Sequence, residues 1–165
     1  MSLESTLTQE FLNEIFEHKQ GGIYWKTKTH KTIVIGKKAG RRRPDGYMAV
    51  GIGGKIYKVH RIIFMMHHGY FPQTVDHING IKDDNRIENL RAATFSENCL
   101  NRGLRPDNEA KAKGIRWCKN SKAWMVRVTV NKIRMFFGYH KDFELAELVA
   151  IEARDKYHKK FANHG

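Results

Sequence analysis

Cysteine is almost absent: the 165 residues hold only Cys99 and Cys118, with no Cys-x-x-Cys pair. That excludes a disulfide scaffold and a zinc ribbon and suits a reducing compartment. Long apolar runs are missing as well. The longest, Ile62 to Met66, falls far short of the roughly 20 residues that a membrane span needs. The opening Met-Ser-Leu-Glu-Ser lacks the basic-then-apolar pattern of a secretory leader. A cytoplasmic protein is the expectation. Acidic charge is scarce, with 17 Asp and Glu against 30 Lys and Arg, for a net charge of +13. A surplus of this size points to a polyanionic partner, nucleic acid first. Hydrophobic residues still make up 41%, which excludes a disordered basic tail and allows a modest core.

The charge is unevenly placed. Residues 1–18 carry −4, residues 19–61 carry +11, residues 62–101 carry −2 and residues 102–165 carry +8. Two basic segments therefore flank a slightly acidic middle. The former suit a phosphate-binding surface, and the latter suits a divalent cation.

Periodicity sets the elements. Leu7, Phe11, Leu12, Ile15 and Phe16 predict an amphipathic helix over 5–18, stopped by Gly21-Gly22. Residues 47–52 and 55–59 flank Gly53-Gly54, which predicts a tight hairpin because primed turns need positive φ. Residues 61–68 favour a helix. Residues 103–113 carry almost no large apolar side chain and form the linker. The expected domains are 1–102, a 103–112 linker, and 113–165. Beyond the linker, 114–118, 124–130 and 133–137 predict three short strands, with Asn131-Lys132 at a turn. Asp142 should cap a final helix. The face of that helix is marked by Ala146, Val149, Ala150, Ala153 and Tyr157.

The chemistry concentrates in Asp76-His77-Ile78-Asn79-Gly80, Asp84-Asn85-Arg86-Ile87-Glu88-Asn89-Leu90 and Ser96-Glu97-Asn98. A strand over 74–78, a loop, a strand at 90–93 and a helix capped by Ser96 would bring Asp76, His77 and Asn98 around one point. Adjacent strand side chains alternate, so Asp76 and His77 cooperate only if the strand is irregular there. A carboxylate and an amide oxygen form a hard donor pair for one Mg²⁺. A neutral imidazole beside them can take a proton from water attacking a phosphodiester. Taken singly, Asn79, Asn85 and Asn89 read as turn formers, and Asp83 and Asp84 as loop solubilisers.

Residues 60–102 resemble the HNH (His-Me finger, ββα-metal) endonucleases of the phage and intron homing type. Val59-His60-Arg61 and the three strings above carry the likeness, in the family's order and spacing. The resemblance implies a ββα-metal core, and with the elements read above the expected fold is α+β: an N-terminal β-hairpin region and that core, then a small three-stranded antiparallel sheet packed on one C-terminal helix. It implies His77 as general base, Asp76 and Asn98 as metal ligands, Asn89 as the loop-pinning residue, and His60 as phosphate or site support. Mg²⁺ is the implied cofactor, with Mn²⁺ the alternative. A single cleavage centre on a monomer implies nicking of one strand per binding event, a dimer being the alternative. Asn98 stands where other branches have a third histidine, and the zinc-binding cysteines of some relatives are missing. A phage-encoded member would work in the host cytoplasm.

Residues 113–161 resemble the apetala/ethylene-response-factor type of DNA-binding domain. The likeness rests on Lys113-Gly114-Ile115-Arg116-Trp117, Trp124 to Val128, Arg134 to Tyr139 and the Ala146–Tyr157 helix. It implies that the sheet enters the major groove with Arg116, Arg127, Arg134 and Phe136 facing double-stranded DNA. The run Arg41-Arg42-Arg43 in the basic hairpin region should grip backbone near the cut. The leading expectation is a Mg²⁺-dependent, site-specific DNA endonuclease. The rival is a non-catalytic DNA-binding regulator on a degenerate HNH scaffold.

Overall fold

The computed structural model describes residues 7–130 and 132–165. The leader expectation for the first five residues and the Asn131 half of the expected turn lie outside the described residues. The chain divides into two compact units, Met1–Phe95 and Ser96–Gly165. The segment expected to be a linker belongs to the second.

In the first unit, Thr8 caps α1 (Gln9–Ile15) by accepting the Phe11 N–H on its hydroxyl. The helix is shorter than its apolar spacing suggests. Phe16 turns extended, and β1 (Phe16–Lys19) pairs antiparallel with β2 (Gly22–Trp25). Gln20 and Gly21, both at positive φ, form the turn. A side chain at Gly21 would sit 3.0 Å from the Arg86 nitrogen, so glycine lets this turn lie against the backbone of the site loop. The expected hairpin is present as β4 (Met48–Ile52) and β5 (Lys55–Lys58), with β3 (Arg41–Arg42) on the outer edge of β4. Gly53 and Gly54 have φ of 56° and 77°, as a primed turn requires.

The hairpin feeds α2 (Val59–His68), which ends on Gly69 in the left-handed region. This helix is the centre of the first core. Ile62 and Ile63 are fully buried among Leu12, Phe16, Ile23 and Val50. Each such side chain contributes roughly 1.5–3 kcal/mol. Against α2 lies the two-stranded ribbon of β6 (Thr74–His77) and β7 (Leu90–Ala93), and α3 (Phe95–Leu100) follows. The helix α3 starts at Phe95, so Ser96 stands inside it and does not cap it.

The second unit orders its strands β10-β9-β8, from β8 (Ile115–Cys118), β9 (Ala123–Val130) and β10 (Ile133–His140). The sheet packs on α4 (Phe143–His158), whose N-terminus Asp142 caps by accepting the Leu145 N–H at 2.7 Å. Ala146 and Ala150 are fully buried against Val126 and Ile115. Their small side chains let helix and sheet approach closely. The fold is α+β, as the sequence leads one to expect, and no helix among the described residues is long and apolar enough to cross a membrane.

Candidate active site

The ribbon of β6 and β7 positions the central residues. Its register pairs Asp76 with Arg91 and His77 with Leu90, unbroken to the end of β6. No irregularity interrupts the strand there, so alternation sends Asp76 and His77 to opposite faces. Asp76 meets its cross-strand partner: Arg91 Nε and Nη2 lie 2.8 and 2.7 Å from Oδ2. Both of these contacts meet the same carboxylate oxygen.

His77 faces other groups. Its Nε2 lies 2.9 Å from Oδ1 of Asn85, a residue only 1% exposed. An amide oxygen can only accept, so Nε2 carries the proton and Nδ1 keeps its lone pair. The His60 ring stands edge-on to His77 at 4.8 Å, and Tyr47 lies 5.2 Å from His60 and 6.0 Å from His77. Burial pushes the His77 pKa down, opposed by the Asn85 hydrogen bond and by Asp76. His60 is lowered to about 3 by burial, then by His77, Lys58 and Arg61. Both imidazoles are therefore neutral at neutral pH. His60 Nδ1 is buried without a hydrogen-bond partner among the described residues. Lys58 stacks over Tyr47 at 3.7 Å and Lys82 lies 5.2 Å from the same ring, so the rim of this histidine cluster is cationic.

The loop between the strands is closed by Asn89. Its Oδ1 accepts the Asn79 N–H, and its Nδ2 donates to Asn79 Oδ1 and to the Asp84 carbonyl. Asp84 is no mere solubiliser. It accepts from Asn79 Nδ2 and takes a two-bond fork from Arg86, which holds its carboxyl well below the usual range. Asn85, between these two anchors, is thereby delivered to His77. Sequence reasoning missed this role because an asparagine in an Asn- and Asp-rich loop looks like any turn former. Its full burial is the missing signal.

The other expected residues fall in three places. Asn98 lies half-buried on α3, in the second unit. Arg41 and Arg42 are exposed on β3 and alternate to opposite faces, so Arg41-Arg42-Arg43 is not one patch. Arg42 reaches Asp83 at 3.6 Å, and Arg43 reaches Asp45 at 3.9 Å. In the sheet of the second unit, Arg127 pairs with Phe136, Arg134 with Thr129 and Arg116 with Met125. Directly opposed residues share a face. Arg116, Arg127, Arg134 and Phe136 thus stand together on the exposed side, opposite the Val126 face that packs on α4.

The donor chemistry fits a hard divalent cation. Asp76 offers an anionic oxygen held in place by Arg91. A carboxylate oxygen is a donor of the kind that Mg²⁺ or Mn²⁺ accepts while keeping several waters.

Comparison with known proteins bears on the same segment. The family model described as HNH endonuclease matches residues 57–100. Protein 3.8 of Escherichia phage T7 is 31% identical over 96 residues, covering 57% of this chain and 74% of that protein. The solved structure described as DNA binding and cleavage by the HNH homing endonuclease I-HmuI is similar at 25% identity. That likeness has a TM-score of 0.42 and covers 74% of this chain and 71% of that one. The matched segment holds β5's end, α2, the β6–β7 ribbon and its asparagine-pinned loop, and on it the chain belongs to the HNH endonuclease family.

Proposed function

We propose that the protein is a metal-dependent endonuclease that hydrolyses one phosphodiester of double-stranded DNA, with His77 as general base. The observation that carries this reading is the His77–Asn85 contact. It supplies a buried, neutral imidazole whose Nε2–H is fixed, so that Nδ1 is the atom able to take a proton from water. His60 and Tyr47 pack on this ring and limit its rotation.

His77 is the last residue of β6 and Asp76 precedes it. Their side chains leave opposite faces of the strand, so a phosphodiester served by both would have to straddle its end. Asp76 and Asn98 are the residues that would hold Mg²⁺ or Mn²⁺. When bound, the ion supplies Lewis-acid stabilisation of the charge developing on the phosphate and the leaving oxygen. His77 removes the proton from the attacking water, and cleavage leaves a 5′-phosphate and a 3′-hydroxyl. Asn89 acts at a distance by holding the loop that presents Asn85. Lys58 and Lys82 at the rim, with Arg41, Arg42 and Arg43 on the preceding hairpin, give the backbone of the substrate cationic neighbours. Arg116, Arg127, Arg134 and Phe136 on the sheet of the second unit form the reading surface, where arginines can donate paired bonds to guanine edges. A monomer with one such centre nicks one strand at a time, in the cytoplasm of the cell that holds its target.

The test is supercoiled plasmid incubated with the full chain in Mg²⁺, in Mn²⁺ and in EDTA. Open circles are expected with either cation and absent in EDTA. DNA ligase alone should reseal them, because the ends are directly ligatable. Plasmid that is bound but stays supercoiled with every cation contradicts the enzyme reading and favours a non-catalytic regulator.

A further inference from the structure

The second unit contains a cavity of about 540 Å³ with an unusual lining. Arg102, Arg105, Lys113, Arg127, Arg154 and His158 border it, and no Asp or Glu does. It opens where β9 runs on past the start of β8, beside the Gly114 turn. That turn is built for close approach. Gly114 has φ of +75°, its carbonyl accepts the Arg127 N–H at 2.8 Å, and an added Cβ would stand 2.7 Å from the Arg127 carbonyl.

Arg154 is the residue that needs explaining. It is only 4% exposed. Its Nε donates to His164 and its Nη1 to the Lys113 carbonyl. Neither Arg154 nor Lys113 makes an ion pair among the described residues. A guanidinium withdrawn from water without a carboxylate in direct contact is costly. Lys113 stands beside it, its Nζ donating twice to Asn163, and is lowered to about 8 by burial and by Arg154. His158 adds a nine-tenths buried imidazole. Its Nε2 donates to the Thr129 carbonyl, and its Nδ1 has no partner among the described residues. Arg102, exposed at the rim, makes no side-chain bond among the described residues. Arg105 alone is neutralised, by Asp107. Asp155 and Glu147 act on Arg154 only from outside the lining, so the cations crowded round this space, the size of a small ligand, suit an anion.

We propose that this cavity binds a phosphate group. Guanidinium and ammonium donors are the usual partners of phosphate oxygens. The DNA backbone is one source, and for that source the inference rests on the endonuclease reading. A free phosphate anion is the other. The cavity is distinct from the exposed arginine face of the sheet, sharing with it only Arg127.

The experiment has two arms, run on the full chain and on Arg102→Ala and Arg154→Gln. In the first, DNA affinity is measured between 50 and 200 mM salt. A backbone phosphate in the cavity makes the log–log salt slope shallower by about one in Arg102→Ala. In the second, inorganic pyrophosphate is titrated while thermal unfolding is followed. A raised Tm in the parent, absent in the variants, with unchanged DNA slopes identifies a free anion. Equal slopes and equal pyrophosphate responses in parent and variants overturn the proposal. If Arg154→Gln does not fold, Arg102→Ala decides, since its side chain is exposed and unbonded. A parent that binds no DNA defeats the proposed function and leaves the pyrophosphate arm to judge the cavity.

Discussion

The two units handle polar groups in opposite ways. The first buries them: His60, Asp76, His77, Asn85 and Asn89 are all withdrawn from solvent beside a core of Ile62 and Ile63. The second spreads Arg116, Arg127, Arg134 and Phe136 over an exposed sheet face, and backs that sheet with alanines. Burial fixes protonation and orientation, which is what proton transfer to and from a chosen atom requires. Exposure keeps a cation solvated and free to exchange counter-ions, which is what grip on a polyanion requires. Each unit's packing thus suits one half of a nuclease's work. The cavity round Arg154 is the exception in the second unit, since it sets a buried guanidinium and a buried imidazole among exposed basic side chains.

The largest effect on stability is expected at Arg91. Arg91→Ala leaves the buried Asp76 carboxylate without its ion-pair partner, a change that costs about 3–5 kcal/mol. Urea unfolding checks this, and a loss below 1 kcal/mol would mean that the pair is not structural.

His60 gives the next effect. Its pKa is lowered in the folded chain from 6.5 to about 3, so the unfolded chain takes up the proton first. Its contribution is complete above pH 6.5 and is lost as pH falls toward 3, at about 1.4 kcal/mol per pH unit. Parent minus His60→Leu stability, measured at pH 6.5, 5.5 and 4.5, should fall with that slope. A flat difference contradicts the burial of a neutral ring.

Asn85→Ala should slow nicking by about 5- to 150-fold, the equivalent of the 1–3 kcal/mol cost of an unsatisfied buried donor, with DNA affinity retained. Arg134→Ala stands at the other extreme. Its side chain is exposed, so stability should move by less than about 0.5 kcal/mol while DNA binding weakens.

Much of this was legible in the residues. Gly53-Gly54 announces the β4–β5 hairpin, and the alanine spacing from Ala146 to Ala153 announces α4. The Asp76-His77 string sits on the strand expected for it. The failures have physical causes. The apolar spacing through Phe16 fits a helix, but that residue opens a strand, because Phe16 packs on Trp25 across β1 and β2 at 4.6 Å. Asp84 and Asn85 hide in a polar loop whose hydrogen bonds are made between residues five to eight apart. That Arg91 is the partner of Asp76 follows only from strand register, which spacing does not supply.

The central claim is that the His77 imidazole takes the proton. Single-turnover nicking with saturating enzyme tests it most directly, comparing parent with His77→Ala on the same DNA in Mg²⁺. A rate loss of about 10²- to 10⁴-fold is expected, with the DNA dissociation constant unchanged within about threefold. A His77→Ala protein that nicks at the parent rate would contradict it.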